Sequence, residues 1–411
     1  MHKNSVENTT RKGTGRLSSG VLALGWVSFL TDFASDMIYP LLPDFLTRTL
    51  GAGPATLGLI EGTAEATASV TKAASGWWAD RTGRRKPLVV AGYTLAGLVR
   101  PLVGLASAWG HVFAIRFADR VGKGIRTAPR DALLADMVPA GSRGRAFGLQ
   151  RAMDNAGAVV GPLVAALLLR TIVADERTVF LLAFFPGALG IALLVWKVRE
   201  APPRPPAPPV PVSGQRAVGR LPRGFWVATG IFVLFAFANS TDAFLLLRAR
   251  DSGVPLWQIP LLWAFFHAVK AAAGVPGGSL ADRIGRVPCV AIGWVVYALA
   301  YAGFAWVASP GALWALFAGY GLFFALTEGA ERALIADLVP EKLRGRAYGI
   351  FHGSVGAAAL PSSLLFGLWW KLFGARTAFL IGAGLAAAAL CALLAARPWL
   401  AFSSEKGAPL E

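Results

Sequence analysis

The chain has 411 residues, of which 55% are hydrophobic and only 15% are charged, and its mean hydropathy is +0.54. About a quarter of the residues are charged in a typical soluble domain, so this composition excludes an ordinary soluble domain and predicts a membrane protein. The formal net charge is +17, but the basic residues are scattered over loops and helix interiors, which argues against nucleic-acid binding.

Twelve apolar stretches of about 20 residues follow one another, and each is long enough to cross a bilayer as a helix. They begin near Leu22, Ala55, Pro87, His111, Ala146 and Val179, and then near Phe225, Pro255, Val287, Leu313, Ala347 and Thr377. The first stretch has no convincing cleavage site, so it is predicted to be an uncleaved helix rather than a secretory signal. Cys289 and Cys391 lie inside predicted spans, so we expect neither a disulfide framework nor a metal site.

The distribution of Lys and Arg between the loops predicts the orientation. With a cytoplasmic N-terminus, the cytoplasmic side receives roughly three times as many basic residues as the other side. We therefore expect a cytoplasmic tail at 1–20, a six-helix half at 21–199, a proline-rich cytoplasmic linker at 200–223, a second six-helix half at 224–397 and a cytoplasmic tail at 398–411. The expected location is the cell inner (plasma) membrane.

Two sequence motifs repeat at almost the same spacing. The pattern Gly-x-x-x-Asp-Arg-x-Gly-Arg occurs at Gly76–Arg84 and again, 202 residues later, at Gly278–Arg286. Asp136-Met-Val-Pro139 returns as Asp337-Leu-Val-Pro340 at a shift of 201. Two unrelated motifs that share one offset predict a duplicated membrane protein with two related halves.

Each copy of the Asp-Arg-x-Gly-Arg loop contains residues suited to a gate. Glycine allows a tight turn, and Asp and Arg side chains can join helix ends through charge-assisted hydrogen bonds. We expect Asp136 and Asp337 to be available partners for Arg84 and Arg286. The predicted cytoplasmic gate comprises Gly76, Asp80, Arg81, Gly83, Arg84, Asp136, Gly278, Asp282, Arg283, Gly285, Arg286 and Asp337. The alternative is that these arginines only set the membrane orientation.

The fourth predicted span is the most charged, with Arg116, Asp119, Arg120, Lys123, Arg126, Arg130 and Asp131. A charge at the centre of a bilayer costs about 2.5–3.5 kcal/mol, so these side chains must avoid lipid. Helical spacing places them within an arc of about 140°, which predicts a helix that lines a water-filled cavity. The predicted substrate cavity comprises Tyr39, Arg100, Asp119, Arg120, Lys123, Arg126, Arg151, Asp154, Asn155, Asn239, Asp242, His267, Lys270, Glu328 and His352. The alternative is that many of these charges pair with one another.

Proton coupling would need a carboxylate inside the membrane that can bind and release a proton. The candidates are Asp32, Asp36, Glu61, Glu65 and Asp154. Asp36 and Glu65 are favoured because each lies in the middle of a span, on its polar face. His267 occupies the repeat position of Glu65 and ranks second, since a lone histidine in a span more often packs or hydrogen-bonds.

The twelve spans, the two halves, the central linker and the doubled loop resemble the major facilitator superfamily of secondary transporters, over about Leu22 to Leu394. The resemblance implies an all-α membrane protein with twelve transmembrane helices in two pseudo-symmetric six-helix halves and cytoplasmic termini. Arg116-Phe-Ala-Asp119-Arg120-Val-Gly122 looks like the family's helix-four motif, which implies a role for Arg116 in proton coupling. Gly157, Gly161 and Pro162 are similar to the helix-five motif of exporters that work as antiporters, so the chain looks drug/proton-antiporter-like.

These observations predict a secondary active transporter that exports a small organic solute in exchange for protons by alternating access. One alternative is a proton-coupled importer of an anionic metabolite, because the row Arg116, Arg120, Lys123 and Arg126 could bind a carboxylate or phosphate. Outside transport, a membrane sensor or an intramembrane enzyme is the alternative, although the sequence contains neither a His-Glu-x-x-His motif nor a phosphate loop. The expected partners are the solute, protons and the lipid bilayer, with no cofactor, and we expect the protein to function as a monomer.

Overall fold

The computed structural model describes residues 18–82, 85–139, 142–173, 175–198 and 220–400. Within these ranges every regular element is helical. Most of the predicted linker at 200–223 and of the two predicted tails falls outside them, as do Gly83, Arg84 and the side chain of Asp80.

Nine segments of the described chain are long and apolar enough to cross a membrane. The last of them, Glu341–Ala395, contains two helices joined at Gly374, where a φ of 84° breaks the helix. Pro54–Thr82 and Trp109–Asp136 are equally long, but they carry too many charges to count as apolar. Adding these gives twelve spans, which confirms the predicted fold.

The first half consists of α1 (Ser19–Thr49), α2 (Pro54–Thr82), α3 (Lys86–Leu105), α4 (Trp109–Asp136), α5 (Arg143–Thr171) and α6 (Glu176–Lys197). The second half consists of α7 (Arg223–Asp251), α8 (Leu256–Ile284), α9 (Arg286–Trp306), α10 (Pro310–Asp337), α11 (344–373) and α12 (375–395). The halves meet where α2 packs against α11 and α5 packs against α8.

Glycines let the helices approach closely at these contacts. A Cβ atom added to Gly58 of α2 would overlap the backbone carbonyl of Ser363 on α11. Within the first half, a Cβ atom on Gly157 or Gly161 of α5 would overlap the carbonyl oxygens of Phe29 or Phe33 on α1. The helix-five motif therefore lies in a tight α1–α5 interface of the small-residue type.

The helix α7 is broken in the middle of the membrane. Its regular structure stops at Ala238 and resumes at Ala243, which leaves Asn239, Ser240 and Thr241 in irregular backbone. Side chains of neighbouring helices satisfy part of the backbone here, since the Thr241 N–H donates a hydrogen bond to Ser363 Oγ and the Tyr297 hydroxyl donates one to the Ala238 carbonyl; irregular backbone within a span is tolerated where protein or a water-filled cavity surrounds it. Broken helices of this kind mark binding sites in many transporters, so the break points to the site described next.

Candidate functional site

The two halves are joined by ion pairs at the predicted external end. Arg250 on α7 contacts Asp44 on α1 at 2.7 Å, and Arg48 contacts Asp251 at 3.4 Å and donates a hydrogen bond to the carbonyl of Arg250. We call Asp44, Arg48, Arg250 and Asp251 the external clamp. The sequence interpretation missed it, although Arg48 and Arg250 are 202 residues apart and thus occupy equivalent positions in the repeat.

Nearer the middle of the membrane, α1 contacts α8. The Trp263 indole N–H donates a hydrogen bond to Asp36 Oδ1 at 2.8 Å, and its ring packs on Tyr39 with centroids 5.1 Å apart. The Tyr39 hydroxyl also lies 3.4 Å from Thr241 Oγ1, at the break in α7. These contacts and the external clamp close the path between the halves at the predicted external end.

A large cavity lies between the halves toward the predicted cytoplasmic ends of α4, α5, α8 and α10. Its volume is about 540 Å³. Its lining includes seven charged residues, the bases Arg130, Arg151, Lys270 and Arg332 and the acids Asp131, Asp154 and Glu328. With this cavity at one end and the clamp at the other, the path between the halves is open toward the predicted cytoplasmic side and closed toward the predicted external side.

Three cations of the large cavity converge on one carboxylate, that of Glu328 on α10. Arg151 of the first half contacts it at 2.5 Å, Lys270 at 3.2 Å and Arg332 at 3.0 Å. The Lys270 ammonium also lies 4.3 Å from the centre of the Phe324 ring. Arg332 was not among the predicted cavity residues.

An aromatic pocket of about 170 Å³ adjoins the large cavity and shares Phe324, Glu328 and Arg332 with it. Its walls come from α7, α10 and α11, and the polar residues Glu331 and His352 also line it. The aromatic side chains are Phe232, Phe235, Phe323, Phe324 and Phe351. Such a pocket suits a planar ring better than a sugar.

A central cavity of about 220 Å³ lies beside the break in α7, and α1 and α2 also contribute to its walls. Tyr39, Glu61, Glu65, Asn239 and Asp242 are among its lining residues. The Tyr320 hydroxyl donates a hydrogen bond to Asp242 at 2.5 Å. Half of the Glu65 side chain is exposed, whereas only 2% of the Glu61 side chain is.

The charged face of α4 is largely buried in ion pairs instead of lining water. Arg116 makes two hydrogen bonds with Glu61 of α2, at 2.8 and 2.6 Å, and Arg100 of α3 contacts Asp119 at 2.7 Å. Arg120 lies 3.5 Å from both Asp119 and Glu65. Pairing with charges on α2 and α3 offsets the cost of burying each ion.

Six predicted substrate-cavity residues line none of the three cavities described above. Arg126 stacks on Tyr93 at 4.1 Å, and the half-buried His267 ring packs against Trp263 and Phe266. Lys123 is half-buried within electrostatic range of Asp32 and Glu65. The six are Arg100, Asp119, Arg120, Lys123, Arg126 and His267. The predicted residues that do line a cavity are Tyr39, Arg151, Asp154, Asn155, Asn239, Asp242, Lys270, Glu328 and His352.

The two repeated loops join helix ends within each half. In the second half Arg286, at the start of α9, contacts Asp282 and lies 3.6 Å from Asp337 at the end of α10. In the first half Arg85 contacts Asp136, the carboxylate for which Arg84 was the expected partner. Gly285 has a φ of 95°, a conformation that favours glycine, so the tight turn predicted there is present.

The chain is similar to known proteins both in sequence and in fold. The family described as Major Facilitator Superfamily matches residues 24–359. An uncharacterized MFS-type transporter of Methanocaldococcus jannaschii is 34% identical over 376 residues, covering 90% of this chain and 93% of that protein. The cis,cis-muconate transport protein of Acinetobacter baylyi is 22% identical over 307 residues, covering 71% and 73%. Among solved structures, a D-xylose-proton symporter superposes with a TM-score of 0.74 at 17% identity, covering 95% and 99%.

Proposed function

Because the chain belongs to the Major Facilitator Superfamily of secondary transporters, we propose that it is a proton-coupled antiporter that exports a small organic solute. It acts as a monomer in the cell inner membrane. The hydrogen bond between Asp36 and Trp263, which joins the two halves, is the observation that supports proton coupling most directly.

Protonation of Asp36 would weaken the closure of the external end. A hydrogen bond to an ionised carboxylate is roughly twice as strong as one between neutral groups. The hydrogen bond from the Trp263 indole to Asp36 is therefore stronger when Asp36 is ionised than when it is protonated. This hydrogen bond forms only in the state where the external ends of the halves touch. Proton binding at Asp36 thus loosens this contact between the halves and proton release tightens it, so protonation changes the balance between the two access states.

Glu65 supplies a second carboxylate, at which proton and solute can compete. It lines the central cavity together with Asn239 and Asp242, and its only ion pair among the described residues is the 3.5 Å contact with Arg120. Glu61 is instead held by two short hydrogen bonds from Arg116. In this proposal Arg116 is a positioning residue that ties α2 to α4.

The repeated loops act as the cytoplasmic gate in this proposal. Arg286 with Asp337, and Arg85 with Asp136, hold the cytoplasmic ends of neighbouring helices within each half. Each half can then move as a rigid unit, as alternating access requires.

Everted membrane vesicles with an inside-acid proton gradient test the exchange. Solutes from a panel of aromatic acids, amines and sugars are added outside, and the gradient is followed with a pH-sensitive dye. We expect a transported solute to dissipate the gradient, and Asp36→Asn to abolish this response. Asp175→Asn is the matched control, because Asp175 is an exposed helix cap that asparagine replaces well. A solute that enters and makes the gradient steeper would refute antiport.

Proton-coupled import of an anion is the second candidate function. The three cations around Glu328 favour it, and one relative is named for cis,cis-muconate, an organic anion. Symport would carry protons and solute in the same direction. The same vesicles distinguish the two functions, because symport deepens the inside-acid gradient that antiport dissipates.

A further inference from the structure

We infer that Arg151, Lys270 and Arg332 form the subsite that binds the carboxylate of an aromatic organic anion, and that this anion displaces Glu328. The inference rests on the proposed transport function and names the class of solute. It applies to export and to import alike, because it concerns binding in the inward-facing cavity.

The cations outnumber the carboxylate that they contact. Arg151, Lys270 and Arg332 come from three helices and from both halves, and all lie within 3.2 Å of Glu328. One carboxylate can neutralise only one of these charges. More than half of the Arg151 and Arg332 side chains is exposed to the cavity, at 54% and 56%. At this point the cations therefore exceed the carboxylate that they contact, and the exposed arginines are accessible to a solute.

The other acids of the large cavity reduce this excess without removing it. Asp131 is paired with Arg130 at 2.9 Å, and the lining as a whole has four bases and three acids. Arginine and lysine are the side chains that bind carboxylates through short charge-assisted hydrogen bonds. The cluster of three cations around Glu328 thus favours an anionic group at this point of the cavity.

The adjoining aromatic pocket selects the rest of the solute. It begins at Phe324, whose ring also contacts Lys270, so a carboxylate at the cations places its attached group directly in the pocket. The volume of about 170 Å³ is close to the roughly 150 Å³ that suffices for one benzene molecule. Aromatic rings favour edge-to-face or offset contact with another ring, and Phe351 and Phe323 present such surfaces.

Glu331 adds a preference for a hydrogen-bond donor on the ring. It lines the aromatic pocket, and among the described residues it has no ion pair within 4.0 Å. The neighbouring Trp294 indole lies within reach of Glu331, but its Nε1 makes no hydrogen bond of ordinary geometry. An amino or hydroxyl group on the solute's ring would satisfy the Glu331 carboxylate.

Displacement of Glu328 would also link binding to movement. The pair Arg151–Glu328 joins the two halves, since Arg151 lies on α5 and Glu328 on α10. A free carboxylate that takes the place of Glu328 on Arg151 and Lys270 removes this direct link. Solute binding then alters an interaction that differs between access states, which is the requirement for coupling.

Equilibrium binding to the purified full-length protein tests the inference without any gradient. The probes are benzoate, 4-aminobenzoate and benzylamine at millimolar concentrations, followed by isothermal titration. We expect both carboxylates to bind, 4-aminobenzoate more tightly, and benzylamine more weakly than either. Lys270→Gln should weaken benzoate binding by about tenfold, the effect of losing one hydrogen bond to a charged group. Lys371→Gln, at an exposed lysine on α11, is the matched control.

Glu328→Gln gives the decisive result. Removing the internal competitor should tighten benzoate binding several-fold, whereas a merely structural Glu328 would leave it unchanged or weaken it. Gel filtration and thermal unfolding confirm that each variant is folded. The inference is overturned if Glu328→Gln does not tighten binding, if benzylamine binds better than benzoate, or if neither carboxylate binds the folded protein. If benzoate binds the purified protein as expected but does not dissipate the proton gradient of the vesicles, antiport is refuted and the proposed carboxylate subsite is still supported.

Discussion

Breaking the external clamp should shift the protein toward its outward-open state. The substitution Arg250→Gln removes the cation that contacts Asp44 at 2.7 Å, where only 6% of the Asp44 side chain is exposed. This ion pair joins the halves, so it stabilises only the state in which their external ends meet. Its loss therefore changes the balance between states and leaves the interior of each half intact.

The size of the shift follows from the burial of the pair. Removing one partner of a fully buried ion pair costs about 3–5 kcal/mol, and an exposed pair contributes at most about 1 kcal/mol. Asp44 keeps Arg48 as a neighbour at 3.1 Å, and that arginine is half exposed. We therefore expect a shift of about 1–3 kcal/mol, which is about 5- to 150-fold in the ratio of the two states.

Distances between spin labels at the external end measure this ratio. Ala108 and Ala308 are exposed, lie in different halves and precede α4 and α10, so cysteines there can carry the labels after Cys289 and Cys391 are replaced. We expect Arg250→Gln to add a population with a longer distance.

Arg248→Gln is the matched control for this measurement. Arg248 lies on the same helix, but it donates its hydrogen bonds to carbonyls at the end of α9 in its own half. An unchanged distance distribution in Arg250→Gln, or the same change in Arg248→Gln, would refute the role of the clamp.

Three further predictions concern the helix contacts. Glu61→Gln should lower the free energy of unfolding by about 2–3 kcal/mol, because it removes both charge-assisted hydrogen bonds of the buried Arg116 to Glu61 and leaves it only the 3.4 Å pair with Asp119; adding Arg116→Met should recover part of this loss in a thermal unfolding assay. Gly161→Ala should destabilise the protein by about 1–3 kcal/mol through overlap with α1, whereas Gly144→Ala, where a methyl group meets only open space, should not lower the melting temperature. Asp337→Asn should slow solute flux with little change in melting temperature, since its pair with Arg286 is partly exposed; normal flux would contradict the gate.

The membrane spans and the duplication could be read from the sequence because the bilayer imposes them. A helix that crosses hydrocarbon must be apolar over about 20 residues, and this requirement leaves a pattern that does not depend on neighbouring helices. The charged residues of α2 and α4 also indicated that the polar faces of these helices avoid lipid. The repeat spacing located the loops in both halves. It also places Arg48 and Arg250 at equivalent positions, but the sequence did not predict that these two residues contact each other.

Which charges pair with each other was decided only by the tertiary structure. Arg116 and Arg151 look alike in the sequence, yet Arg116 is buried against Glu61 and Arg151 faces the large cavity. Asp136, which the repeat assigned to Arg84, contacts Arg85. The sequence by itself determined the membrane fold and its two related halves, through hydropathy and repetition. The tertiary structure decided which polar residues face the solute, because that depends on the distances between helices far apart in the chain.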